Sequence, residues 1–178
     1  TSYETAWAML HRFRRAMVRP DRDLLSGTVE VDETFLALSR RTAKARKIRS
    51  PKSHNTEHLV PVVIAVEVLD PKGFGRIRIR RMEHEPIVQL GSSRPAHASL
   101  PGVHRVAALL KRWLLGTHHG AVDPRHVDYY LDEFVFRFNR RSSRSRGMLF
   151  YRLMQQAAVT APVTYSHIRD NEPGQHRR

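Results

Sequence analysis

Val103–Val122 reads VHRVAALLKRWLLGTHHGAV, and the rest of the chain is read outward from this run. Val103, Val106, Ala107, Leu110, Leu114 and Leu115 recur at steps of three and four, which winds one apolar stripe along a long helix with a face to bury. Arg105 and Arg112 fall off the stripe. His104 and Lys111 stand about two turns apart, so both project on one side, nearly one above the other. Gly116, which opens a Gly-Thr-His-His-Gly run, is where the helix is expected to stop.

Downstream, Pro124 opens a second helix whose apolar face is Val127, Tyr130, Leu131, Phe134, Val135 and Phe138. Asp128 and Asp132 lie one turn apart, a spacing that suits a metal, but they read as helix surface favoured by a positive N-terminus. Asn139–Arg146 is a basic turn, MLFYRLMQQAAV a last helix, and the tail ending in GQHRR reads as frayed.

Upstream the period changes from helix to strand. In GTVEVDETFLAL, Gly27–Leu38, Val29, Val31 and Glu33 alternate with Thr28, Glu30 and Asp32. LVPVVIAVEVLD, Leu59–Asp70, is a nearly continuous β-branched run, the mark of a strand buried on both faces. A Pro-Lys-Gly turn leads to GRIRIRRM, where Ile77 and Ile79 alternate with Arg76, Arg78 and Arg80 to give one buried and one basic face. That face suits a phosphate track or, equally, a charged edge that resists aggregation. Three strands in a meander is the economical arrangement.

Between the first two strands, Ser39–His58 loses its apolar period and gathers Arg40, Arg41, Lys44, Arg46 and Lys47 into a loop. It would grip DNA phosphates or simply be solvated. At the start, Ser2 or Thr5 caps a helix with Tyr3, Ala6, Trp7, Leu10, Phe13 and Met17 on its apolar face and Arg12 and Arg15 elsewhere, stopped by Pro20.

Composition narrows the partner. The chain has 178 residues with 31 Lys and Arg against 17 Asp and Glu, a formal charge of +14, so nucleic acid is favoured over an anionic membrane. The absence of cysteine excludes disulfides and thiolate zinc sites, and no apolar run reaches membrane-span length. A soluble, cytoplasmic protein is expected. The chain begins at Thr1 without a signal-like segment and reads as a fragment.

The words GSSRPAHASLPGVHRVAALLKRWLLGTHHGAV and YYLDEFVFRFNRRSSRSRGMLFYRL, with SYETAWAMLHRFRRAM and GTVEVDETF upstream in the same order, resemble bacterial insertion-sequence transposases of the ISXO-two-like DDE family. Relatives usually carry a cysteine-rich zinc segment and a complete helix-turn-helix first; here only its last helix has a counterpart. The resemblance implies an α/β fold of the α+β kind, a truncated RNase H-like domain. It would be a three-stranded antiparallel meander packed with helices and preceded by one helix from the helix-turn-helix. The expected division is 1–22, a remnant DNA-binding region; 26–160, the DDE domain; and 161–178, a tail.

What the family does would be DNA cleavage and strand transfer by two magnesium or manganese ions. Asp32 matches the first metal-binding catalytic aspartate, His104 the third position, and Lys111 the lysine that follows it. Partners implied are double-stranded DNA at transposon ends and a second copy or an intact relative. Arg12, Arg15, Arg40, Arg41, Lys44, Arg46, Lys47, Arg76, Arg78, Arg80, Arg112, Arg140, Arg141 and Arg144 are the candidate DNA contacts.

The resemblance breaks between Met82 and Gly102. There the family expects a helix and a fourth strand bearing the second aspartate, whereas this chain offers nineteen residues with three prolines and no such word. An internal deletion follows as the simplest account, and with it a copy that is catalytically defective. The alternatives are a non-catalytic DNA-binding module that inhibits an intact transposase, and a pseudogene product without function.

Overall fold

The computed structural model describes residues 2–18, 24–38, 59–71, 73–82 and 100–170. They fall into two compact units, one drawn from Leu25–Val127, the other from Thr1–Leu24 and Asp128–Arg178.

The first unit is built on β1 (Thr28–Ala37), β2 (Leu59–Val68) and β3 (Phe74–Arg81), an antiparallel sheet in the order β1-β2-β3, the expected meander. Helix α2 (Pro101–His118) packs on β1 and β2. The fold is α+β. Leu36, Val60, Val62, Ile64, Val66, Ile77 and Ile79 from the sheet meet Val103, Val106, Ala107, Leu110 and Leu114 from the helix, all of them buried. Full burial of one such side chain is worth about 1.5–3 kcal/mol, which makes this stripe the main reason α2 docks.

The register settles which face of β1 is inward. Asp32 sits opposite Ile64, Glu30 opposite Val66 and Leu36 opposite Val60, and residues directly opposite in a ladder share a face. Glu30 and Asp32 therefore lie on the helix-covered face. Val31, 54% exposed, and Phe35, 38% exposed, lie on the other. The strand read from the alternation forms, and the register adds which of its two faces is covered. Ile64 and its neighbours fix the register, since a one-residue slip would turn them outward. In β2 the expectation of two equally buried faces also fails: Val63 and Ala65 are only half-buried.

Two further corrections concern α2. Leu115 is 67% exposed and lies off the buried stripe. The helix runs past Gly116 and ends at His118; His119 then takes the left-handed conformation at φ 52° and Gly120 follows at φ 65°. Gly120 N–H closes the end on the Leu114 carbonyl at 3.2 Å. A short 3₁₀ turn, Pro124–His126, comes next, capped by Asp123 accepting from Arg125 N–H at 2.9 Å.

The second unit holds α1 (Tyr3–Ala16), α3 (Val127–Asn139, from Asp128 onward), α4 (Arg146–Val159) and α5 (Tyr165–Arg169). Ser2 caps α1 by accepting from Thr5 N–H at 3.2 Å. The buried face of α1 is not the apolar one read from spacing. Ala8, His11, Arg14 and Ala16 are inside, while Tyr3 and Leu10 are 80% and 54% exposed. Partners explain the rotation: the His11 ring stacks 4.1 Å from Trp7 and 5.0 Å from Tyr129, and Arg14 Nε donates to Glu133 at 2.7 Å.

Helix α3 is buried almost all round from Asp128 to Phe136. Asp128 and Asp132, expected on the surface, are 6% and 3% exposed. The tail is not wholly frayed either, since α5 forms on a Thr164 cap and buries Ile168. No helix among the described residues is long and apolar enough to cross a membrane.

Candidate functional site

Helix α2 starts with an unmet need. The amides of a helix's first turn have no intrahelical acceptor, and an N-cap side chain usually supplies one. Here the N-cap is Leu100, which has no side-chain oxygen, followed by Pro101 at the first helical position. The acceptor arrives from β1 instead: Glu30 Oε2 takes the Val103 N–H at 3.0 Å. Gly102 leaves room for it, since a Cβ there would lie 2.7 Å from the same oxygen and 3.0 Å from the Phe74 ring.

Two residues further along β1 and one further along α2, on the same contact, are the two strongest site candidates. His104 Nε2 lies 3.7 Å from Asp32 Oδ2, with side chains 38% and 32% exposed. Asp32 Oδ1 accepts from Glu33 N–H at 2.8 Å. At 3.7 Å the pair is outside hydrogen-bond range, so the imidazole and the carboxylate converge without closing on each other. Glu33 faces the other side of the sheet and is exposed, so it does not join them. Lys111 is exposed on α2.

Two converging side chains are fewer than a two-ion centre needs. Two-ion catalysis of phosphoryl transfer holds the ions about 4 Å apart with several oxygens, and hard cations take mostly carboxylates. Among the described residues no group of three His, Cys, Asp or Glu is arranged to hold a metal. The described residues therefore do not fit the two-ion requirement.

The candidate DNA contacts divide by what they already touch. In the sheet unit, Arg80 and Arg112 are exposed, and Arg78 Nη1 donates to the Ile77 carbonyl at 3.1 Å. Arg76 is committed: its guanidinium Nη2 reaches Glu67 Oε1 at 3.1 Å and its backbone N–H donates to Glu67 Oε2 at 2.7 Å. In the helical unit, Arg12 Nε donates to the Val163 carbonyl at 3.2 Å and Arg15 is half-buried. Arg140 and Arg141 lie 3.9 Å and 4.0 Å over the rings of Phe136 and Phe138, and Arg144 is exposed. Arg40, Arg41, Lys44, Arg46, Lys47 and the stretch of the expected deletion lie outside the described residues.

Glu67 and Glu30 are the acidic residues that strand reading missed. Glu67 sits at the register shift between Val66 and Val68 and also accepts from Ser26 N–H at 2.9 Å. Burial works to raise its pKa, but the Arg76 and Ser26 backbone bonds and the Arg76 guanidinium together hold it below the usual glutamate range. A glutamate inside a β-branched run was the available signal for Glu67. For Glu30 it was the Leu100-Pro101-Gly102 start of α2, which has no cap of its own.

No curated protein and no solved structure matches the chain. Residues 79–139, about a third of the chain, match the family model of the ISXO2-like transposase domain. That span holds His104 and Lys111 and stops short of Asp32 on the N-terminal side. From the end of β3 through α3, then, the chain is similar to the ISXO2-like transposase domain.

Proposed function

We propose that this is an insertion-sequence transposase-family protein with a truncated RNase H-like domain that binds duplex DNA and does not cut it. The observation that carries the reading is the meeting of Asp32 and His104 at 3.7 Å from two separate elements. The transposase site would place its first and third ligands in this way. No aspartate stands between Asp70 and Asp123 to act as the second ligand.

The family implies a divalent ion, magnesium or manganese. Asp32 and His104 would be its ligands, but a carboxylate and a neutral imidazole are too little negative charge for two ions that repel each other, so no strand-transfer step runs through them. What stays is a formal charge of +14. Exposed Arg80, Arg112 and Arg144 would meet phosphates, with Lys111 beside the pair as a point charge.

Incubation of the chain with element-end DNA and magnesium or manganese is expected to give no nicking or joining, alongside binding whose affinity falls steeply with salt. Cleavage abolished by Asp32→Ala would overturn the defective reading; absence of binding at low salt would remove the DNA-binding one. The same observations favour a second role, inhibition of an intact relative. Its sign would be reduced cleavage when this chain is added to an active transposase on the same DNA.

A further inference from the structure

We infer that Glu30 is the positioning residue for the Asp32–His104 pair: by accepting the Val103 N–H it ties the first turn of α2 to β1 and so holds His104 at Asp32. Its functional meaning rests on reading that pair as a transposase site; the geometry stands without it.

Val103 is the third residue of α2, and its N–H is one that an N-cap serine or aspartate would take. Leu100 makes no side-chain cap bond, and Val103 is 1% exposed, so neither its own helix nor bulk water readily replaces Glu30. The carboxylate also brings negative charge to the positive end of an 18-residue helix.

Glu30 and Asp32 are next-but-one on β1 and share the helix-covered face, while Val103 and His104 are consecutive on α2. The cap and the pair are therefore neighbouring parts of one strand–helix contact. If the Val103–Glu30 bond is lost, the first turn is free to move off the strand and carries His104 with it. Because one Glu30 oxygen is taken by Val103, its task is to anchor the helix.

Gly102 gives an independent handle. A methyl group there runs into the tip of Glu30, a flexible carboxylate that can swing away, and crowds the Phe74 ring at 3.0 Å, so Gly102→Ala displaces the cap while leaving its charge in the molecule. Helix propensity alone predicts the opposite, since alanine is the better helix former.

The test uses nuclear magnetic resonance on the full chain, following hydrogen exchange of the Val103 amide and the Overhauser contact between the His104 ring and the Asp32 β-protons. Glu30→Ala is expected to speed Val103 exchange about tenfold and abolish the contact. Glu30→Gln, which keeps an acceptor oxygen, retains both. Gly102→Ala behaves like Glu30→Ala, and the double variant is no worse than either alone.

A preserved His104–Asp32 contact in Glu30→Ala, or in Gly102→Ala, overturns the proposal. Should Glu30→Ala fail to fold, the retained contact in Glu30→Gln and its loss in Gly102→Ala decide. Manganese titration of the wild-type chain is a separate arm: absence of broadening at His104 ends the reading of the pair as metal ligands, while the contact measurements still decide the role of Glu30.

Discussion

Two acid–base pairs in this molecule are built on opposite principles. In the helical unit, Arg14 and Glu133 meet at 2.7 Å with both side chains 8% exposed, and Arg137 Nη2 closes on the other Glu133 oxygen, also at 2.7 Å. In the sheet unit, Asp32 and His104 stop at 3.7 Å with about a third of each side chain in solvent. A pair taken out of water must saturate its bonding to repay desolvation, and Glu133 does so. The Asp32–His104 pair stops short of a bond and is only part-buried, although His104 Nε2 itself is shielded from solvent. The difference is between a closed, saturated ion pair and a looser contact of a strand with a helix.

The sharpest way to break this comparison is Arg14→Ala, which leaves one oxygen of the buried Glu133 carboxylate without its cation and only Arg137 on the other. A loss of about 3–5 kcal/mol in urea unfolding is expected. If the loss stays under about 1 kcal/mol, the helical pair is no more structural than the one on the sheet.

Next comes Gly75→Ala. A Cβ there collides with the Glu67 carboxylate and lies 2.9 Å from Glu67 Cβ, so the side chain that joins Ser26 and Arg76 must move. About 1–3 kcal/mol of destabilisation is expected, read by thermal melting. A Tm unchanged within error would show that Glu67 yields freely.

Acid should also distinguish the carboxylates. Glu133 is held below its ordinary value of 4.5: burial pushes it up, but the Arg14 and Arg137 bonds and charges outweigh that, and Glu67 is lowered as well. In both cases the unfolded chain binds protons first as pH falls. Their stabilisation is thus complete above about pH 4.5 and drains away below it, through their folded values. Urea midpoints from pH 7 to pH 3 check this, and the slope below pH 4.5 should shrink in Glu133→Gln. An unchanged slope would remove Glu133 from the account.

The smallest effect belongs to the site. Asp32→Asn should change stability by less than about 0.5 kcal/mol, because Asp32 is half-exposed and its closest cation candidate is 3.7 Å away. A loss above about 1.5 kcal/mol would make the pair structural after all.

The sequence was most legible where one period ran long. The β2 run, the Arg-Ile alternation of β3 and the α2 stripe each state their own geometry, and the β2–β3 pairing follows from a short turn. Long-range pairing was not legible. The burial of His11 and Arg14 depends on Tyr129 and Glu133, more than a hundred residues on, so the spacing rule chose the wrong face of α1. In β1 the alternation was legible but not which face is covered; the register with Ile64 and Val66 puts Asp32 and Glu30 on the helix side. The Asp32–His104 meeting was legible only through the family words. Nothing in their spacing brings a strand and a helix together. Glu30 escaped because its role belongs to a helix that begins some seventy residues later.

The one-for-one ladder between β1 and β2, unbroken from Thr28 to Ala37, has a consequence for how such a chain drifts once selection relaxes. Substitutions can erode it side chain by side chain. A single inserted or deleted codon between Gly27 and Glu30 does something different, because the side-chain period of a strand is two. If Leu36 keeps its place opposite Val60, only the residues before the lesion change face. If the residues before the lesion keep their rungs instead, Asp32 turns outward and Val31 or Glu33 turns toward His104. The strand's reading frame against its neighbour is thus a second text written over the genetic one. In related chains, length changes in β1 should be rarer than substitutions for as long as the fold is kept.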